Sequence, residues 1–269
     1  MKFGGSSVAG AEKIRRVADI VRGRLPRKPV LVVSAFRGTT DDLLALAHDA
    51  LKGDLSKIET VAKRHREAAA ELGAAFEPLA PLFDELTALA RGISLLRELT
   101  PRTLDRVASF GERFSARLVA AALAENGVPA RAVDAFDAGL LTDERFGAAA
   151  PLPEADEALR AFFAPLADLP VVTGFVGRTR GGEITTLGRN GSDYSATILG
   201  AALGAEEIQI WSDTDGIMTA DPRLVPSAKP LGSLSFAEAC ELAYYGLPSH
   251  FRRGVGCEVK FQISQHPDS

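Results

Sequence analysis

Residues 29–35, Pro-Val-Leu-Val-Val-Ser-Ala, constrain the fold more than any other stretch of the chain. The run is apolar with no alternation, so a strand made from it is buried on both faces. Such strands belong to parallel sheets covered by helices on each side. The neighbouring segments agree. Residues 11–24 place Ile14, Val17, Ala18 and Val21 at i, i+3, i+4 and i+7, the repeat of an amphipathic helix, and Pro26 and Pro29 end it. Residues 41–51 return to a helical repeat, with Leu44, Ala47 and Leu51 on one face. Strand and helix patterns that alternate in this way mark βαβ units. The expected fold class is α/β, a three-layer α/β/α sandwich on a mainly parallel central sheet.

The rest of the chain continues the pattern with one excursion. Residues 56–97 are rich in Ala, Leu and Glu and read as helices broken at Pro78 and Pro81. A long helix is expected over 103–126, with Gly127 where a C-cap falls. A short strand follows at 128–134, then an irregular stretch at 135–153, a helix at 155–167 and a strand at 170–173. Residues 173–192 are rich in Gly and Arg, a helix is expected over 191–204, and 207–211 alternate like a strand. A loop at 212–222 and a helix over 236–245 are expected after it. No internal repeat or low-complexity linker appears, and 269 residues suffice for one large domain of two lobes facing a cleft.

Charge and composition exclude several classes. The formal net charge of −4 argues against a nucleic-acid partner, because phosphate backbones select basic faces. No apolar run approaches the roughly 18 residues of a membrane helix, so no membrane partner is expected. The start, Met1-Lys2-Phe3-Gly4-Gly5, lacks the apolar stretch of a signal peptide. Two cysteines, Cys240 and Cys257, are too few for a disulfide framework or a zinc knuckle. The expectation is a soluble cytoplasmic protein.

Three segments carry chemistry. In Lys2-Phe3-Gly4-Gly5-Ser6-Ser7-Val8, paired glycines let backbone N–H groups approach an anion, and Lys2 supplies a point charge for a phosphoryl group. A tight β–α turn explains the glycines equally well, and neither GxxxxGK[ST] nor GxGxxG is present. Residues 185–194 (TTLGRNGSDY) form a glycine-punctuated loop entering a helix, where Arg189 suits a carboxylate and Ser192 or Asp193 suits an N-cap. Residues 211–223 (WSDTDGIMTADPR) follow a strand, the place where open α/β sheets bind nucleotides; an Asp-Gly turn is the plainer alternative.

Taken in order, these blocks resemble the aspartokinases of the amino-acid kinase superfamily from Lys2 to about Gly246. The resemblance also rests on VVSAFRGTTDDLL at 32–44 and SFGER at 109–113. The wording GRNGSDYSA and DGIMTADPR is nearest to the kinase portion of aspartokinase–homoserine dehydrogenase fusions. The resemblance implies the amino-acid kinase fold over 1–246, with an amino-acid-binding lobe at about 1–170 and a nucleotide-binding lobe at about 171–246. It implies phosphorylation of the L-aspartate side-chain carboxylate by ATP with Mg2+, the first step toward lysine, threonine and methionine. Lys2, Asp193 and Arg189 would be catalytic, with Lys2 on the transferring phosphoryl and Asp193 orienting it. Gly4, Gly5 and Ser6 would cradle phosphate oxygens. Ser34 and Thr40 would bind substrate through hydroxyls, Glu112 would meet its ammonium, and Arg189 its α-carboxylate, with Ser192 nearby. Ser212, Asp213, Met218 and Arg223 would line the nucleotide site, Met218 standing where relatives often carry Tyr. No metal ligand is implied in the chain itself.

The chemistry fits this residue set. An aspartate carboxylate, with a reference pKa of about 3.9, is already ionised at neutral pH, so positioning and charge neutralisation suffice without a general base. The histidines His48, His65, His250 and His266 lie outside every block and have no expected role.

Departures from the family pattern set further expectations. Met1 directly precedes Lys2, so the first central strand is expected to be nearly absent and Lys2 to sit beside a mobile terminus. After Gly246 the family continues with a motif like AKVLHPRT, whose lysine contacts ATP. Here the chain reads Leu247-Pro248-Ser249-His250, and 247–269 form a divergent tail with no room for an ACT regulatory domain. A homodimer is among the implied assemblies. Alternatives left open are a weak or inactive remnant that binds nucleotide, and a related kinase for another acidic substrate.

Overall fold

The computed structural model describes residues 1–211, 219–220, 225–229 and 231. The helix expected over 236–245 and the tail 247–269 lie outside the described residues, as does most of the loop expected over 212–222. The elements run β1 (Lys2–Phe3), α1 (Ala11–Arg22), β2 (Leu31–Val33), α2 (Thr39–Ala50), α3 (Lys57–Leu72), α4 (Ala80–Leu96), α5 (Pro101–Glu125) and β3 (Ala130–Val133). They continue with α6 (Ala155–Phe163), β4 (Leu169–Thr173), β5 (Val176–Arg178), β6 (Ile184–Thr186), α7 (Gly191–Ala202) and β7 (Ile210–Trp211). Among the described residues, no helix is long and apolar enough to cross a membrane.

Among the described residues, five strands form a parallel sheet in the order β3-β4-β2-β1-β7. The apolar run at 29–35 supplies β2, and strand alternation splits it between two cores. Leu31 and Val33 join Phe3 and Val171 on the side covered by α1 and α5, with α2, α3 and α4 outside them. Val32 and Val172 face α6 and α7. The expected α/β/α sandwich is therefore present, with both sheet faces dry.

β1 is short, as its sequence requires, but Lys2 is not beside a mobile end. The amide N–H of Val32 donates to the Met1 carbonyl at 2.8 Å, and that of Ser34 to the Phe3 carbonyl at 3.1 Å. On the other edge, the Lys2 N–H donates to Gln209 at 2.7 Å and the Gly4 N–H to Trp211 at 3.2 Å. A central position in a parallel sheet offers partners on both sides, so two residues are held by a full ladder, and Lys2 is 7% exposed.

The helices follow their patterns closely. α1 buries Ile14, Val17, Ala18 and Val21, as the repeat predicts. In α2 the buried face is Leu43, Leu46, Ala47 and Ala50, one position away from the predicted Leu44 and Leu51. Leu43, Leu44 and Leu46 are all apolar, so packing against α3, α4 and α5 selects the face. α5 begins two residues before its predicted start, where the Thr100 hydroxyl accepts from the Thr103 N–H at 3.1 Å and Pro101 takes the first helical position. It packs against α1, α2, α4, β3, β4 and β6 and forms the spine of the domain. Gly111 permits this: a Cβ there would lie 2.7 Å from the Ala35 Cβ. The residues at 173–192 conceal an antiparallel hairpin, β5 with β6, that the sequence pattern did not predict.

His65 is sealed in this packing. Its ring stacks on Phe36 at 4.8 Å and leans on Phe114 at 5.0 Å, and Nδ1 donates to the Val61 carbonyl at 2.8 Å. Burial lowers its pKa to about 4. An unfolded chain, with an ordinary histidine pKa near 6.5, takes up the proton first as pH falls, so His65 costs stability below pH 6.5, reaching about 3 kcal/mol by pH 4. Urea unfolding at pH 7 and pH 4.5 should show wild type losing more stability than His65→Phe over that interval; equal losses would remove His65 as the cause.

Candidate active site

Strand alternation aims the first functional side chain. Phe3 enters the α1/α5 core, so Lys2, its neighbour, points to the α7 side of the sheet. There Lys2 Nζ meets Asp193 Oδ1 at 2.6 Å, with side chains 9% and 7% exposed. Asp193 stands in the first turn of α7. The chain after β1 folds tightly: the Ser7 N–H donates to the Gly4 carbonyl at 2.9 Å, and the Arg37 N–H to the Gly5 carbonyl at 3.2 Å. A Cβ on Gly5 would lie 2.7 Å from the Ala35 carbonyl oxygen, so only glycine lets this loop rest on the exit of β2. Gly4 lies beneath the Lys2 ammonium, its Cβ position 3.7 Å from Nζ. Ser6 and Ser7 are half-buried, and the Ser7 hydroxyl donates to the Trp211 carbonyl at 3.4 Å.

Glu112 approaches the same region from α5. Its Oε1 accepts from the Ala35 N–H at 3.1 Å, while Oε2 is buried with no hydrogen-bond partner among the described residues. Burial raises the carboxyl pKa to about 8, against the opposing pull of the Ala35 amide and the Lys2 ammonium. A buried carboxyl with one open oxygen is an acceptor waiting for a cation or a donor. Ser34, half-buried, precedes Ala35 just beyond β2, and Thr40, also half-buried, lies in the first turn of α2.

The third part comes from the hairpin. After β6 the backbone turns through Gly188 at φ +76° and Asn190 at φ +59° into α7. Ser192 is buried and packed against Gly174, where a Cβ would lie 2.6 Å from the Ser192 Cβ. Arg189 is exposed on the turn. The structure thus brings Lys2, Asp193, Glu112 and the Gly4–Gly5 loop together, with Ser34 and Ser192, the chain neighbours of Ala35 and Asp193, at its margins. Arg189 stands on the surface beside them. Ser212, Asp213, Met218 and Arg223 lie outside the described residues. Two participants escaped the sequence reading: the Ala35 N–H, which has no side-chain signature, and the hairpin itself.

Cationic Lys2 over glycine backbone suits an anion, and the Glu112 oxygen suits a cation. The site is built for a ligand carrying both signs. Among the described residues, no group of three His, Cys, Asp or Glu could hold a metal ion. A separate cavity of about 530 Å³, lined by Val30, Leu199, Leu203 and Ile208 among others, opens at the opposite ends of the strands.

Removing one member of the Lys2–Asp193 pair leaves a buried charge uncompensated. Lys2→Met should cost about 3 kcal/mol in urea unfolding, and adding Asp193→Asn should recover much of it. Additive losses in that double-mutant cycle would show that the pair carries no coupling.

The chain matches the family described as the amino acid kinase family over residues 1–253. Aspartokinase 3, chloroplastic, of Arabidopsis thaliana is 41% identical over 257 residues, which is 91% of this chain and 46% of that protein. Bifunctional aspartokinase/homoserine dehydrogenase 1, chloroplastic, of the same plant is 34% identical over 97% of this chain and 30% of that protein. The crystal structure of E. coli aspartokinase III in complex with aspartate and ADP (R-state) has a TM-score of 0.79 and 34% identity, covering 91% of this chain and 56% of that one. The chain spans about half the length, or less, of the curated relatives it matches. With the family match running through β1, the glycine loop, α5 and α7, the chain belongs to the amino acid kinase family.

Proposed function

We propose that this chain is the catalytic domain of an aspartokinase, transferring the γ-phosphoryl of MgATP to the side-chain carboxylate of L-aspartate to give 4-phospho-L-aspartate. The observation that carries this is the unsatisfied Glu112 oxygen, buried on one side of a glycine loop whose other side holds the Lys2–Asp193 pair. One face takes an ammonium and the other a phosphoryl group. Names of relatives, and the aspartate and ADP bound to E. coli aspartokinase III, support the same substrates.

In the proposed step an ionised aspartate oxygen forms a bond to the γ-phosphorus. The bond from that phosphorus to the β,γ-bridging oxygen breaks, and its electron pair leaves with ADP. No proton moves, so the site needs no base. Lys2 neutralises charge that builds on the phosphoryl oxygens, and Asp193 keeps its ammonium in place over Gly4. Gly5 and Ser6 offer backbone N–H groups to phosphate oxygens, while Gly4, whose own N–H is held by Trp211, cradles them by leaving room for close approach. Glu112 takes the substrate ammonium, Arg189 with Ser192 takes the α-carboxylate, and Ser34 and Thr40 hold the substrate through their hydroxyls. Magnesium enters with ATP as part of that substrate. By resemblance, Ser212, Asp213, Met218 and Arg223 line the nucleotide site, and residues 1–170 and 171–246 divide the amino-acid and nucleotide lobes. The product would feed lysine, threonine and methionine synthesis.

A hydroxylamine-trapping assay with MgATP tests the reaction. Hydroxamate should form with L-aspartate and be lost in Lys2→Met. A signal with glutamate alone would change the substrate, and silence with both beside measurable nucleotide binding would favour the inactive remnant.

The Glu112 carboxyl gives a second test. With a pKa raised to about 8 in the empty site, it is largely protonated at pH 7, and the substrate ammonium favours its ionised form. Aspartate binding should therefore release up to one proton at pH 7, and apparent affinity should rise as pH climbs toward 8. Calorimetry in buffers of different ionisation enthalpy reads that proton directly. In Glu112→Gln the release should vanish, and KM for aspartate should rise by about tenfold to a hundredfold.

A further inference from the structure

We infer that Asp105 is a positioning residue that sets which length of acidic amino acid the site accepts; this rests on the proposed role of Arg189 as the α-carboxylate clamp. Asp105 is 3% exposed, on α5, with no part in the phosphoryl step. Its Oδ2 accepts from the Gly147 N–H at 2.9 Å and the Thr186 N–H at 2.8 Å, and its Oδ1 accepts from the Thr186 hydroxyl at 2.8 Å. Three donors from two chain segments converge on one buried carboxylate.

Those two segments bracket the turn that carries Arg189. Thr186 ends β6, and the turn Leu187-Gly188-Arg189-Asn190 follows it. Gly188, at φ +76°, passes so close to the neighbouring loop that a Cβ would lie 3.1 Å from the Gly147 carbonyl oxygen. The Ala149 N–H donates to the Thr186 carbonyl at 2.9 Å, and the Thr142 and Thr185 hydroxyls meet at 2.7 Å. Asp105 is the buried charged tie that fixes this assembly to α5; the other, Arg102 with Glu183 at 3.2 Å, is exposed to solvent.

The same helix also fixes the other end of the site. Asp105 and Glu112 are seven residues apart, within about 20° of two full turns, so they share a face and are separated by about 10 Å along the axis. At the Glu112 end, Gly111 lies against Ala35, whose carbonyl in turn rests on Gly5 of the glycine loop. α5 is therefore a rigid spacer between the carboxylate clamp and the phosphoryl cradle. The span between those points sets the side-chain length that brings an acceptor oxygen to the γ-phosphorus. One extra methylene, the difference between aspartate and glutamate, moves that oxygen by more than an ångström, enough to spoil in-line attack.

Asp105→Asn keeps the shape but replaces one acceptor oxygen with an NH2 group facing a backbone donor. The expected result is a folded protein whose KM for aspartate rises about tenfold while its KM for MgATP changes less than twofold. The preference for aspartate over glutamate in kcat/KM should fall about tenfold. Thr186→Val, which deletes a single hydrogen bond, should show a smaller shift in the same direction and serves if Asp105→Asn fails to fold. Amide hydrogen exchange without any substrate is the independent readout. In either variant, exchange should quicken at residues 185–190 and leave 34–40 protected. Unchanged exchange in that turn, or equal rises in both KM values with preference intact, overturns the inference and leaves the proposed function standing. A wild-type protein that binds or phosphorylates neither acid overturns the proposed function, and the specificity claim with it.

Discussion

Consecutive residues of a strand point to opposite faces, and the function of this domain hangs on that rule at Lys2 and Phe3. Phe3 anchors β1 in the core beneath α1 and α5, and the same backbone geometry sends Lys2 the other way, to Asp193 on α7. A slip by one residue would exchange them, burying an ammonium among hydrocarbon and leaving the carboxylate unpaired. The register that avoids this cost also sets the ammonium above Gly4. Packing and chemistry are decided by one constraint.

Two adjacent residues of α5 show how burial separates structural from functional charge. Arg113 lies over the Phe110 ring at 4.7 Å and donates to Glu85 at 2.9 Å, with Asp134 a further 3.6 Å ion-pair partner. Arg117 completes that network through two hydrogen bonds to Asp134, at 2.8 and 2.9 Å. These charges compensate each other inside the domain. Glu112, one residue before Arg113, has among the described residues one amide partner and an open oxygen. Burial holds that carboxyl largely protonated in the empty site, and a cationic ligand would favour its ionised form. The contrast supports the ligand-binding role proposed for Glu112.

Much of the fold was legible along the chain. The two-sided apolar run at β2, the helical repeat of α1, the helices of the 56–97 stretch and the glycine after α5 all announce themselves through local periodicity and capping chemistry. The β5–β6 hairpin does not, because three-residue strands carrying glycine and arginine present too short a pattern, and its pairing is set by contacts with the 141–151 segment. The weakness expected of β1 failed for a related reason. Strand stability in a central position comes from both neighbours, one of them more than 200 residues away in sequence.

The candidate site divides in the same way. The order of residues specifies which groups are available: a lysine before paired glycines, a glutamate in SFGER, and an arginine and an aspartate around a glycine turn. It also marks β2 as a strand buried on both faces, because an apolar run is a local property that survives any arrangement of the rest. Tertiary structure alone decided that Lys2 faces Asp193, that Glu112 keeps one oxygen free beside Ala35, and that Asp105 ties the hairpin to α5. Those contacts join residues 77 to 191 positions apart. No local pattern encodes such distances, since they arise only when two faces of a sheet and the helices on them are packed to a common density.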